Sequence, residues 1–396
     1  MITFESVTKK YPDGTVAVGG LSLEAPTGQT TVFVGPSGCG KTTSLRMINR
    51  MIEPTGGRIL VDGEDTAKVD SAKLRRSMGY VIQHAGLFPH RTIQSNIATV
   101  PLLLGTNRRE AEKQALELME RVGLSTSLAK RYPAQLSGGQ QQRVGVARAL
   151  AANPPIMLMD EPFSAVDPIV REQLQDEFLR LQADLGKTIV FVTHDIDEAI
   201  KLGDQVVVLQ VGGVVAQMAA PASLLIEPAD DFVADFVGRD RGYRTLGFRT
   251  SAVPVTPEPT ILLGATQDDA RRAATGQWVL VVNDEGHPLG WVEPEKVQGT
   301  VTFERIHRGG TVASEEASLR HSLDAALSSP SGRGVIVDRD GVLRGTVLPS
   351  VVITVIEAVT RAASSNGDGS GDSNVNGRAG VRAKPVDQLT ERARES

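Results

Sequence analysis

Residues 35–43 read Gly-Pro-Ser-Gly-Cys-Gly-Lys-Thr-Thr. They follow the apolar run TTVFV (30–34) and precede a helical pattern from Lys41 to Ile52, the strand, loop and helix order that the spacing G-x-x-x-x-G-K-[ST] requires. Gly35, Gly38 and Gly40 let the backbone curl until successive N–H groups point inward, and the following helix adds the positive end of its dipole. Pro36, Ser37, Cys39 and Thr43 complete the loop, Lys41 brings a cation to the outer phosphates, and Thr42 offers a hydroxyl to Mg2+. A metal held in this way needs a carboxylate, and one stands at the end of the apolar strand Ile156 to Met159. There Asp160 is placed to hold Mg2+ through its water shell, and Glu161 to polarise an attacking water. Between the two lies LSGGQQQR, in which Ser137, Gly138, Gly139 and Gln140 open a helix, a second place where backbone N–H groups and a hydroxyl can grip phosphate. Read alone, the carboxylates can cap a helix and Ser137 can be a plain N-cap. With the phosphate loop in the same chain they read as one site.

These residues need a scaffold. Ile2 to Val7, Thr30 to Val34, Met78 to Ile82, Pro155 to Met159 and Thr188 to Thr193 read as strands, the last two as buried ones. Helical spacing runs over Arg108 to Val122, Gln140 to Ala152 and Val170 to Leu185. Strands alternating with helices predict an α/β core on a largely parallel sheet over residues 1–240. Pro254, Pro257 and Pro259 mark a linker at 241–258. Beyond it VVNDEGHPLGWV (281–292) and VIVDRDGVLRGTV (335–347) repeat a strand, an acidic turn with glycine, and a second strand. Gly286 matches Gly341 and Gly290 matches Gly345. Residues 259–362 are expected to form this second, paired domain. The segment 363–396 is rich in Gly, Ser, Asn and Asp near its start and is expected to be disordered, with a short helix at Val386 to Ala393.

The length of 396 residues exceeds one ordinary core, in keeping with two folded units. Forty-two Lys and Arg against 47 Asp and Glu give a net charge of −5, which offers no basic stripe for nucleic acid. Cys39 is the only cysteine, so neither an internal disulfide nor a cysteine metal cluster can form. The N-terminus lacks a secretory pattern, and the most apolar stretch, Val347 to Val359, is broken by Pro349, Ser350, Thr354 and Glu357. The chain is not expected to cross a membrane itself.

The phosphate loop, the carboxylate pair and LSGGQQQR together resemble the ATP-binding cassette family. Further matches follow in order. Tyr11 in KKYPDG resembles the aromatic that stacks on adenine, Gln83 in YVIQH the glutamine that links metal and attacking water to a membrane partner, Ser164 to Asp167 (SAVD) the loop that crosses the dimer, and His194 in FVTHD the histidine that contacts the γ-phosphate. The resemblance implies a head-to-tail homodimer with two Mg2+-ATP sandwiched between cassettes. In each site Gly35 to Thr43, Gln83, Asp160, Glu161 and His194 come from one subunit, and Ser137 to Gln140 from the other.

No long coiled coil separates Lys41 from Ser137 and only one set of motifs is present, which sets aside chromosome-maintenance and translation-factor cassettes and leaves a transport ATPase. SLRMINRMIEPTGGRILVDG, YVIQHAGLFPHRTIQSNI and YPAQLSGGQQQRVGVARALAANPPIMLMDEPFSAVDPIVR resemble the ATPase subunits of osmoprotectant importers, which take up glycine betaine, choline, carnitine and proline betaine. The resemblance implies a peripheral protein at the cytoplasmic face of the membrane. It implies contact with permease subunits near Gln83 to Asn96, and an indirect partner in an extracytoplasmic substrate-binding protein. In that family two cystathionine-β-synthase-type (CBS) modules follow the cassette. The paired hairpins resemble a divergent pair, with Thr300 to Ile306 and Ser318 to Leu327 as intervening strand and helix. An ATPase for an amino-acid or polyamine importer, or an ATP-dependent regulatory scaffold, are the alternatives.

Overall fold

A chain that must place four loops side by side does so most simply by ending adjacent parallel strands at one edge. The computed structural model describes residues 1–365, apart from 84, 85 and 165. It divides the chain into two units, Met1–Arg239 and one that begins at Asp240. The strands of the first unit are β1 (Ile2–Lys10), β2 (Val16–Ala25), β3 (Thr30–Val34), β4 (Gly56–Val61), β5 (Glu64–Asp65), β6 (Met78–Val81), β7 (Ile156–Asp160), β8 (Thr188–Val192), β9 (Gln205–Gln210) and β10 (Val214–Ala219).

Six of them form a sheet in the order β10-β9-β3-β8-β7-β6, parallel except for β10 at one edge. β3, β7 and β8 are buried at every residue, as continuous apolar runs in a doubly covered sheet should be. A second sheet, β2-β1-β4-β5, is antiparallel, so Ile2 to Val7 stands outside the parallel sheet. The helix expected over Lys41 to Ile52 stops at Ile48. Arg50 takes φ 54°, and the N–H groups of Arg50 and Met51 turn back onto the carbonyls of Met47 and Arg46, which closes the last turn. The helices Arg108–Arg121, Gly138–Leu150 and Pro168–Leu185 stand where the apolar spacing places them.

The second unit repeats one design. β11 (Thr260–Leu262) pairs parallel with β12 (Val279–Val282), which pairs antiparallel with β13 (Pro288–Val292). β14 (Val312–Ser314), β15 (Gly334–Val337) and β16 (Leu343–Val347) do the same. The helices Gln267–Ala273 and Leu319–Ser328 make the crossovers that parallel pairing demands. The two hairpins match in detail: Asn283 Oδ1 accepts from the N–H of Glu285 and His287, and Asp338 Oδ1 from that of Asp340 and Val342. Gly290 (φ 135°) faces Val281, and Gly345 (φ 144°) faces Ile336.

Two expectations change. Thr300 to Ile306 is not a strand: it holds a 3-10 turn at Phe303–Arg305. Val301 and Ile306 are both buried, and residues five apart point to opposite faces of a strand, so a turn between them is what brings both inward. Residues 241–258 do not hang free. Tyr243, Leu246, Val253 and Val255 pack with Leu319, Val347 and Val352, Thr256 exchanges both backbone bonds with Thr346, and Glu258 is buried. Proline every few residues keeps this segment extended and confines it to an edge, but its valines still bury. The glycine- and serine-rich tail and the helix at Val386 to Ala393 lie outside the described residues, save that the helix Pro349–Ser365 takes in Ser364 and Ser365.

Candidate active site

β3, β8, β7 and β6 are consecutive in the sheet, and the loops at their C-terminal ends carry in turn the 35–43 loop, His194, the Asp160–Glu161 pair and Gln83. Residues far apart in sequence therefore meet at one edge. The loop itself is shaped by its glycines. A Cβ on Gly35 would lie 2.3 Å from the Leu209 carbonyl oxygen and one on Gly40 2.3 Å from that of Ala17, so both sit flush against neighbouring strands. Gly38 (φ 79°) has open space around it. Cys39 is fully buried in the core, its N–H is taken by the Pro36 carbonyl, and its Sγ accepts from Lys41 Nζ at 3.8 Å. Lys41 is buried, and its Nζ reaches across the loop to the carbonyl oxygens of Gly35 (2.7 Å) and Pro36 (3.0 Å). Its cation is thus held over the cradle.

Thr42 Oγ1 donates to Asp160 Oδ1 at 2.8 Å. The other carboxylate oxygen lies 3.5 Å from both Arg46 Nη2 and the Tyr80 hydroxyl. Sequence reasoning missed these two residues. The available signal was positional: Arg46 is one helical turn past Thr42, and Tyr80 stands on the strand next to β7. Burial pushes the Tyr80 hydroxyl above its ordinary value, so it stays a neutral donor.

Glu161 departs from the strand with φ 47°, a left-handed conformation that costs a side-chain-bearing residue about 1–3 kcal/mol and persists where the surroundings enforce it. Its N–H is fixed by the Val192 carbonyl (2.9 Å). Its Oε2 lies 3.1 Å from His194 Nδ1 and 3.3 Å from Gln83 Nε2. That amide is also 3.4 Å from Ser164 Oγ, whose hydroxyl donates to the Glu161 carbonyl. A carboxylate, an imidazole and an amide around one partly open point are the groups that orient water and take its proton.

The remaining predicted residues lie elsewhere. Ser137 and Gln140 form a reciprocal cap: the Gln140 N–H reaches Ser137 Oγ and the Ser137 N–H reaches Gln140 Oε1. Among the described residues no hydrogen bond joins Ser137 or Gln140 to the 35–43 loop. Gly139 is pressed against the next helix, where a Cβ would lie 2.8 Å from Val170 Cγ1. Tyr11 lies in the turn between β1 and β2 with Lys9 Nζ 5.3 Å from its ring centre, and Asp167 precedes the helix Pro168–Leu185. Asn96 is fully buried: its amide bonds both backbone groups of Phe88 and the carbonyls of Arg91 and Thr92, so it shapes the 88–92 loop from inside.

The sequence profile described as ABC transporter matches residues 18–164. The chain is 43% identical to the choline transport ATP-binding protein OpuBA of Bacillus subtilis, over 90% of this chain and 96% of that protein. It is 42% identical to the osmoprotectant import ATP-binding protein OsmV of Salmonella typhimurium, over 88% and 94%. Among solved structures it is similar to a dimeric ATP-binding cassette in a post-hydrolysis state with ADP and phosphate. That match has 35% identity and a TM-score of 0.51, and covers 56% of this chain and 99% of that one.

Proposed function

The chain belongs to the ATP-binding cassette transporter family, and from that premise we propose that it is the ATP-hydrolysing subunit of an importer of quaternary ammonium osmoprotectants. Choline, carnitine, glycine betaine and proline betaine are the solutes in its relatives' names. The observation that carries the catalytic part is the convergence of Gln83, Glu161 and His194 beside the Thr42–Asp160 pair and the Lys41 loop. ATP lies with its phosphates on backbone N–H groups of residues 37–43, other than that of Cys39, and its adenine on Tyr11. Lys41 neutralises charge on the outer phosphates. Glu161 takes a proton from water as the water oxygen bonds to the γ-phosphorus. The bond from that phosphorus to the bridging oxygen breaks, and its electron pair leaves with ADP. His194 holds Glu161 in line and faces the γ-phosphate.

Thr42 and Asp160 offer adjacent hard oxygens, the donor type Mg2+ takes, and would hold the ion, with Gln83 beside Glu161 as the further ligand. When bound there, Mg2+ would supply charge neutralisation for the phosphates. Ser137 to Gln140, which among the described residues make no hydrogen bond to the chain's own 35–43 loop, complete the site of a second cassette, so a single chain hydrolyses ATP poorly. No described helix is long and apolar enough to cross a membrane. The chain works peripherally at the cytoplasmic face, with permease subunits docking around the loop that follows Gln83. On that loop Phe88 is exposed while Asn96 holds it from within, and Leu102, Leu103 and Leu104, at the end of the helix Thr99–Leu103, are exposed as well. A separate substrate-binding protein delivers the solute. The two repeats of residues 259–362 are a CBS-like regulatory pair. In the assembled transporter Glu161→Gln retains ATP, traps the closed dimer and loses hydrolysis; turnover at the parental rate would overturn the assignment of the base.

A further inference from the structure

Thirty-seven residues beyond Glu161, on the helix Ile196–Leu202, Glu198 is buried, with 5% of its surface exposed. Among the described residues it makes no ion pair. Its Oε2 accepts from Thr193 Oγ1 at 2.6 Å and its Oε1 from Gln175 Nε2 at 3.3 Å. Thr193 is itself buried, and its hydroxyl oxygen accepts the Asp195 N–H at 3.0 Å. The bonds thus run in one direction, from the Asp195 N–H to Thr193 and from Thr193 to Glu198, and they bracket His194. The charged groups nearest are Asp195 and Arg171. Arg171 reaches toward the Asp195 carboxylate at 3.8 Å and donates to the Val166 carbonyl at 3.1 Å. Gln175 and Arg171 both stand on the helix Pro168–Leu185.

An ionised carboxylate buried without a cation costs several kcal/mol, a cost that packing alone would remove by substituting an apolar side chain. What the carboxylate adds here is two charge-assisted acceptors at a fixed separation, one for the Thr193 hydroxyl on the loop and one for the Gln175 amide on the helix Pro168–Leu185. We propose that Glu198 is a positioning residue for hydrolysis: through Thr193 it fixes the loop that presents His194 to Glu161, and through Gln175 it ties that loop to the helix that follows Asp167. The proposal rests on the reading of His194 given above.

The test is a mutant cycle on the full chain in its assembled transporter, measuring kcat, KM for ATP, nucleotide Kd and Tm. Glu198→Leu keeps the bulk and removes both acceptors. It lowers kcat roughly 10- to 100-fold, the scale of a misplaced catalytic group, while KM and nucleotide Kd stay near the parent. In a His194→Ala background the same substitution costs little more, because the group it positions is gone. Thr193→Val reproduces the loss with the fold intact, and Thr193→Ser, which keeps the hydroxyl, restores the rate. Parental kcat in Glu198→Leu, a full second loss on top of His194→Ala, or equal damage from Thr193→Ser and Thr193→Val would each overturn the proposal. Should Glu198→Leu not fold, the Thr193 pair decides. Parental kcat in His194→Ala would instead overturn the role of His194 itself.

Discussion

In the unit that begins at Asp240, Glu258 is buried against a cation, whereas in the first unit Glu198 is buried with only neutral donors on its oxygens. Arg333 meets Glu258 through two nitrogens at 3.1 and 3.0 Å, lies 4.8 Å from the Trp291 ring centre, and donates to the Thr275 and Trp278 carbonyls. Thr346 donates a further bond to Glu258. Every partner is satisfied, and the pair clamps the incoming segment to both repeats. Glu198 has no ion pair among the described residues, only neutral donors and the more distant pull of Arg171, and it accepts a hydrogen bond from Thr193 in the loop that carries His194. A compensated buried charge holds a fold together. One held only by neutral donors beside the His194 loop is the group we propose positions that loop.

The sharpest way to break the comparison is to remove one charge from the compensated pair. Arg333→Met leaves Glu258 buried alone and destabilises the second unit by about 3–5 kcal/mol, seen as an earlier transition in denaturant, while nucleotide Kd stays at the parental value. Lys41→Ala acts in the opposite sense. It weakens ATP binding by about a hundredfold, read by nucleotide titration, because a buried cation is removed from the phosphates. The repeat allows a matched pair of tests. A Cβ on Gly345 would lie 2.3 Å from the Thr256 carbonyl oxygen and one on Gly290 2.6 Å from that of His307. Each Gly→Ala change therefore costs about 1–3 kcal/mol in equilibrium unfolding.

A smaller effect concerns pH. Burial, with repulsion from Asp195 added, raises the Glu198 carboxyl above its ordinary 4.5, against the opposing pull of its hydrogen bonds and Arg171. The folded chain then binds a proton that the unfolded chain has lost, so this group's contribution to stability falls as pH rises from about 4.5 through the raised value and is flat above it. Glu198→Leu gains stability relative to the parent across that window. The gain is read as the difference between the two pH–stability curves. Smallest of all, Arg271→Ala breaks an exposed pair with Glu295 and leaves the melting temperature unchanged.

Much of the candidate active site was legible because phosphate chemistry asks for residue types at fixed spacing: Gly35, Lys41, Thr42, Asp160 and Glu161 declare themselves locally. The core strands β3, β7 and β8 were legible as continuous apolar runs. What escaped depends on distant partners. β2 and β4 flank β1, with β5 beyond β4, and nothing in their own periodicity announces an antiparallel sheet. Arg46 and Tyr80 matter only because β6 lies beside β7 and the loop helix faces both. Glu198 reads as one more polar residue in the first turn of a helix, where acids are common, and its burial is set by the helix Pro168–Leu185 packed against it. The proline-rich stretch misled for a related reason: proline predicts extended backbone well, but not whether valines between prolines find a groove.

The central claim is that this chain powers the import of quaternary ammonium solutes. It is tested most directly by uptake of labelled choline and glycine betaine into vesicles holding the permease and its binding protein, with the chain present, absent, or carrying Glu161→Gln. The account predicts ATP-dependent accumulation with the parental chain alone. Uptake that does not depend on the chain, or ATP-driven uptake confined to an amino acid or polyamine, would contradict it.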